Sequence, residues 1–277
     1  MHRQQLFHWV GAQSDRKAGF KGPLTSQSRI EYMEMLAGSL QQGLWLKSPR
    51  DPEVIRHRGF EQPMELAMTC FTEWSLAEST GHVSRYGRLG FGFPKKWVLE
   101  QGGQPVTYYS TKRDKPFLSS LVRLLKAATK EKEHFLMDLT YLLHFTKRIH
   151  KDALPKSDSK GGRKPGQPKP APAPKSERPE NPYVRRYGKT MPYLEEREWR
   201  IVECAEVVKR ATLNRAGEPP VPKYYLPYKC GHELFTLVLP DNQTASDVTR
   251  LDPFKSVLFA AEAPPVNILS LEDIGTF

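Results

Sequence analysis

The stretch Pro155–Pro182, PKSDSKGGRKPGQPKPAPAPKSERPENP, carries no aliphatic or aromatic side chain larger than alanine. Such a segment cannot bury enough apolar surface to offset the entropy of ordering it. Its Pro-Lys-Pro-Ala-Pro-Ala-Pro centre is held extended and semi-rigid by the proline rings. Residues 155–182 therefore read as a disordered, basic, proline-rich insertion, and whatever folds must be assembled from what flanks it. The upstream part, residues 1–154, has too few strand signals to close a sheet. The downstream part, 183–277, is mostly short strands. The two complement each other, so the expectation is one α+β domain whose single split sheet, mostly antiparallel and flanked by helices, is completed from both sides.

Runs of Val, Ile, Phe, Tyr and Thr bounded by Gly or Pro predict strands at Gln5–Val10, Ala67–Thr72, Leu89–Phe93 and Pro105–Tyr109. Others follow at Trp199–Glu203, Tyr224–Pro227, Leu234–Leu239 and Val266–Leu269. Apolar residues at three-to-four spacing predict helices over Ser28–Gln42, stopped by Gly43, then Phe117–Ala128 and Glu131–His150. In the first, Ile30, Met33, Leu36, Ala37 and Leu40 form the apolar face; a late helix near Ala245–Ala261 is interrupted by Pro253.

No window of eighteen apolar residues occurs, so no transmembrane helix is expected. The first residues run at once into polar and aromatic side chains, which predicts a chain without a secretory signal. Three widely spaced cysteines, Cys70, Cys204 and Cys230, fit a reduced cytoplasmic protein rather than a disulfide scaffold. Cys230-Gly231-His232 lacks a second ligand pair at zinc spacing, so no metal is expected. The net charge of +11 invites polyanionic partners. Between Pro155 and Pro182, seven Lys/Arg stand against three Asp/Glu, which is +4 of that charge and reads first as a solvated linker.

Three motifs could carry chemistry. In Phe7-His8-Trp9-Val10-Gly11 a strand histidine can offer nitrogen to a sugar hydroxyl and Trp9 can offer a stacking face; the plainer reading is a half-buried histidine satisfied by backbone. Tyr86-Gly87-x-x-Gly90-x-Gly92 implies backbone that another group approaches closely, without the order of a dinucleotide or phosphate loop. There Tyr86 either stacks on a flat ligand ring or caps the sheet. In Glu196-Arg197-Glu198-Trp199-Arg200, strand alternation puts Glu196, Glu198 and Arg200 on one face. Those carboxylates either stabilise positive charge on a substrate or pair with Arg200. Cys70 is expected to pack rather than react, and His134, His144 and His150 to lie on a solvated or rim face of one helix.

The order of Phe7-His8-Trp9-Val10-Gly11, Leu40-x-x-Gly43-Leu44, Met68-x-Cys70-Phe71-Thr72-Glu73, His82-x-x-x-Tyr86-Gly87-x-x-Gly90-Phe91-Gly92-Phe93, Gly103-x-Pro105-Val106-x-Tyr108 and Glu196-x-Glu198-Trp199-Arg200 resembles the AbiGi family of abortive phage-resistance proteins. Pro240-Asp241 and Pro265-Val266-x-Ile268-Leu269 are in keeping with it, so the resemblance spans nearly the whole chain outside the insertion. It implies bacterial antiphage defence with a cognate toxin or antitoxin encoded by the neighbouring gene. A more distant similarity is to the His-Tyr-Glu arrangement of the ADP-ribosyltransferase fold. That similarity implies NAD as substrate, with His8 on the ribose, Tyr86 on a middle strand stacking on nicotinamide, and Glu198 stabilising the oxocarbenium-like transition state. Trp9 and Glu196 would complete the NAD contacts. Two functions follow from these resemblances: an NAD-dependent ADP-ribosyltransferase-like enzyme of a toxin–antitoxin module, or a non-catalytic antitoxin or regulator that binds a toxin, nucleic acid through its basic surface, or both.

Overall fold

Strands from both sides of the proline-rich segment interleave in one seven-stranded sheet. A computed structural model of the chain describes residues 5–12, 23–47, 54–57, 60–63, 66–73, 75–109, 115–128, 133–148, 197–204, 207, 212–214, 223–252 and 254–274. The insertion at 155–182 lies outside these. In chain order the elements begin with β1 (Gln5–Val10), α1 (Ser26–Gln42), β2 (Leu44–Leu46), β3 (Val54–His57), β4 (Phe60–Pro63) and β5 (Met68–Thr72). A turn of 3₁₀ helix (Leu76–Glu78) leads to α2 (Thr80–Tyr86), β6 (Leu89–Pro94), α3 (Lys95–Glu100), β7 (Gln104–Pro105), β8 (Thr107–Tyr109), α4 (Lys115–Ala128), α5 (Glu133–Leu143) and β9 (Thr146–Arg148). Beyond the insertion come β10 (Glu198–Val202), β11 (Thr212–Asn214), β12 (Lys223–Leu226), β13 (Thr236–Leu239), α6 (Asn242–Arg250), α7 (Phe254–Leu258) and β14 (Asn267–Ser270).

The main sheet has the order β14-β13-β6-β1-β5-β10-β7. Every pair in it is antiparallel except β13 with β14. The α+β fold with a mostly antiparallel sheet is thus as the sequence predicts: downstream β10 sits between upstream β5 and β7, and downstream β13 beside upstream β6. A three-stranded sheet, β11-β12-β2, joins the main one through the Lys47–Met68 bridge. No helix among the described residues is long and apolar enough to cross a membrane.

Directly paired residues of antiparallel strands share a face, which sorts the sheet into two layers. On one face lie Leu6, Phe71, Phe91, Phe93, Trp199, Ile201 and Leu237, covered by Tyr32 and Leu36 of α1, Trp97 and Val98 of α3, and Val248 of α6. On the other, Phe7, Trp9 and Val238 pack with Val83 of α2 and Leu271, with Leu76, Tyr86 and Ile274 at the rim.

Local chemistry fixes several ends. Thr25 caps α1, its hydroxyl accepting from the Ser28 amide at 3.1 Å, and the Gly43 amide closes the helix on Ser39 O. Its buried stripe is Ser28, Tyr32 and Leu36, four residues apart, whereas Ile30 is exposed. The Tyr32 hydroxyl decides that rotation: it accepts from the Arg88 amide at 3.0 Å and donates to Gly11 O. The segment expected as one strand at Pro105–Tyr109 divides at Val106, because β7 pairs with β10 while β8 pairs in parallel with β9. The same parallel pairing overrides helix periodicity after Leu143. There the chain leaves α5 for β9 instead of continuing to His150, and the Thr146 hydroxyl satisfies the Leu143 carbonyl at 2.8 Å. The predicted late helix forms as α6 and α7 on either side of Pro253, with Asp241 capping α6 through the Thr244 amide and hydroxyl.

Candidate functional site

The sheet register decides which candidate residues meet. Phe7 pairs with Thr72 and Thr72 pairs with Glu198, so these three form one row across β1, β5 and β10. His8, one residue along, points to the opposite face. Its ring lies 5.7 Å from Phe71 and 6.4 Å from Phe91, and its Nδ1–H donates to the Cys70 carbonyl at 2.8 Å. This is the backbone-satisfied histidine that the sequence leaves open as the plainer reading. Burial outweighs that hydrogen bond and lowers its pKa from the ordinary 6.5.

Tyr86 is not on a middle strand, where the distant similarity places it. It is the last residue of α2, closed by Gly87, because the helical hydrogen bonds run on to the Gly87 amide. It does share the face that bears Glu198. Its ring stacks on His82 one turn earlier, with centroids 5.8 Å apart, and Arg85 lies over it. His82 Nε2 in turn meets the Thr72 hydroxyl at 3.3 Å. The structure therefore brings Tyr86, His82, Thr72 and Glu198 to one face and leaves His8 on the other. Trp9 shares the Glu198 face but is buried over Gly90, not open for stacking. Glu196 lies outside the described residues.

Glu198 forms an ion pair within its own strand. Its Oε1 accepts from Arg200 Nε at 2.8 Å, with both side chains less than one-tenth exposed. The Arg200 Nη1 continues to the His144 carbonyl at 2.6 Å, tying β10 to the end of α5. For Glu198 the geometry has the pairing with Arg200 that the sequence offers as one of two readings. His144 is buried rather than the solvated or rim residue expected from helix periodicity. Its Nδ1–H donates to Thr140 O at 2.7 Å and its Nε2 accepts from the Leu66 amide at 3.1 Å, fixing one neutral tautomer. Burial first, then the Arg200 charge, lowers its pKa. No local pattern around His144 contains the β8–β9 pairing that ends the helix there.

These two histidines predict a pH dependence. Folding holds them neutral, so the unfolded chain binds protons that the folded one refuses. Their contribution is complete above pH 6.5 and drains as the pH falls toward the lower folded-state values. Urea unfolding between pH 7.5 and 5.5 should show stability falling with acid at up to about 1.4 kcal/mol per pH unit for each histidine. In His144→Gln the slope should be smaller.

A second polar brace ties the opposite face. Lys95 at the start of α3 meets Glu73 Oε1 at 2.6 Å, and Glu73 Oε2 accepts from the Trp199 indole at 3.1 Å. The Lys95 ammonium also lies 4.6 Å from the Trp199 ring centre. Burial pushes the Glu73 carboxyl up, but the Lys95 and Trp199 hydrogen bonds outweigh it and hold the pKa below the usual carboxylate value. A cavity of about 410 Å³ opens at one end of the sheet, lined among others by Gln5, His232, Phe235 and Asn267; His8, Tyr86 and Glu198 do not line it. Among the described residues no group of three or more His, Cys, Asp or Glu is placed to hold a metal.

Residues 63–154 match the family model described as "Putative abortive phage resistance protein AbiGi, antitoxin". That span is 92 of the 277 residues, running from the end of β4 past β9. It includes Tyr86, His82 and Thr72 and excludes His8, Trp9, Glu196 and Glu198. No curated protein and no solved structure matches the chain.

Proposed function

We propose that this chain serves abortive phage resistance as a non-catalytic, antitoxin-like component that binds and neutralises a protein toxin. The observation that carries the reading is the match of residues 63–154 to a family described as an abortive-infection antitoxin. The site geometry is in keeping with it: His8 lies on the opposite face of the sheet from Tyr86 and Glu198, and Glu198 pairs with Arg200. Within the matched span, Leu124 of α4 and Leu142 of α5 are 50% and 60% exposed on two helices that pack together. Large apolar side chains so placed suit a partner surface.

The test is co-expression with the product of the neighbouring gene. That product alone should arrest growth, and this chain should restore growth and co-elute with it. Leu124→Asp combined with Leu142→Asp should abolish co-elution while changing stability by no more than about 0.5 kcal/mol, as surface substitutions usually do. The NAD-dependent enzyme is the rival reading. Growth arrest by this chain alone, with nicotinamide released by the purified protein, would establish it and end the antitoxin account.

A further inference from the structure

We propose that the outer face of the three-stranded sheet, built on Trp45 and Tyr225, binds single-stranded nucleic acid by base stacking. The alternation Leu44-Trp45-Leu46-Lys47 in and just after β2 buries both leucines, at 1% and 2% exposure, and leaves Trp45 42% exposed. Tyr225 of β12 stands directly opposite Trp45, while its neighbour Leu226 is buried against the core. The two rings are 6.5 Å apart and 24° from parallel, and the Lys47 ammonium lies 5.2 Å from the Trp45 ring centre. The solvent side of a sheet covered on one face ordinarily carries polar residues. Here it carries an exposed indole beside a half-buried phenol, with a cation next to the indole.

That combination has the chemistry of a single strand. The ring faces suit unpaired bases of any identity, and Lys47 supplies charge for a neighbouring phosphate. The net charge of +11 draws polyanions to the surface, the complementarity that favours nucleic acid over an apolar protein patch as the occupant. Stacking without groups aimed at base edges predicts tolerance of sequence and preference for single strands, since duplex bases are already stacked on one another. This inference stands independently of the antitoxin reading, because the platform lies outside residues 63–154.

Fluorescence anisotropy of labelled oligo(dT) and oligo(U) of about 20 nucleotides, titrated with the full chain, tests it. Trp45→Ala should raise Kd about tenfold and the double variant Trp45→Ala/Tyr225→Ala toward a hundredfold, while Trp45→Phe stays near wild type. Lys47→Gln should reduce the salt slope by about one. Competitor duplex of equal length should displace poorly. The proposal is overturned by absence of binding at low salt, or by aromatic variants that bind like wild type. It is also overturned if those variants lose co-elution with a protein partner yet keep oligonucleotide affinity, which would make the patch a protein interface.

Discussion

Glu198→Ala is expected to cost the fold about 3–5 kcal/mol, because it breaks a buried ion pair by removing one member. Arg200 is 6% exposed, and its Nε has the Glu198 carboxylate at 2.8 Å. Removing that carboxylate takes a charged hydrogen-bond partner from a guanidinium that is closed off from water. Replacing both ions with apolar residues of similar volume, Glu198→Met with Arg200→Met, should destabilise much less than either single change, since neither desolvated charge then remains. The double variant also gives up the Arg200 bond to His144 O, so some loss at the β10–α5 junction should persist. Urea denaturation of the two singles and the double closes the cycle. Equal and small effects in both singles would show that the pair is not a buried structural unit, and would reopen Glu198 as a residue held for chemistry.

Gly90→Ala and Gly92→Ala should each destabilise by about 1–3 kcal/mol, and together by more than either alone. Trp9 pairs with Gly90 and Phe7 with Gly92 across β1 and β6, and both rings lie over the bare backbone of the glycines. A Cβ on Gly90 would come within 2.6 Å of the Trp9 ring; one on Gly92 would come within 2.8 Å of Phe7 and 3.0 Å of Thr236. The two rings are stacked on each other at 5.9 Å, so displacing one disturbs both. The rings cover strand backbone that has no side chain of its own, as aromatics do when they rescue sheet glycines. Thermal or urea unfolding with near-ultraviolet circular dichroism would detect the loss together with the changed tryptophan environment. Wild-type stability in both variants would mean the rings have room to move, and the close approach would not be why glycine stands there.

The same residues show how far the sequence could be read. The Gly90-x-Gly92 spacing announced close approach, and the approach is there. The group that approaches is the protein's own Trp9 and Phe7 rather than a ligand, and single-strand patterns cannot say which strand lies alongside. The alternation in Glu198-Trp199-Arg200 correctly put the acid and the base on one face and Trp199 on the other. What it could not contain was the frame of β1 against β5. Pairing Phe7 rather than His8 with Thr72 sends His8 to the far side, because a shift of one residue exchanges the faces of a strand. His144 differs from expectation for a related reason: helix periodicity runs through it, but the chain turns into β9, which pairs in parallel with β8, and the ring is buried.

By itself the sequence determined the strands that make up the main sheet, its completion from both sides of residues 155–182, the first long helix and the resemblance to an abortive-infection family. Those properties depend on local composition and period, which a chain carries in its own order. Only the tertiary structure decided which residues became neighbours. It paired Glu198 with Arg200, set Tyr86 on His82 at the end of a helix, enclosed Trp9 over Gly90 and left Trp45 exposed beside a half-buried Tyr225. The register between strands far apart in sequence is set by summed burial across the whole sheet, and no one segment encodes it.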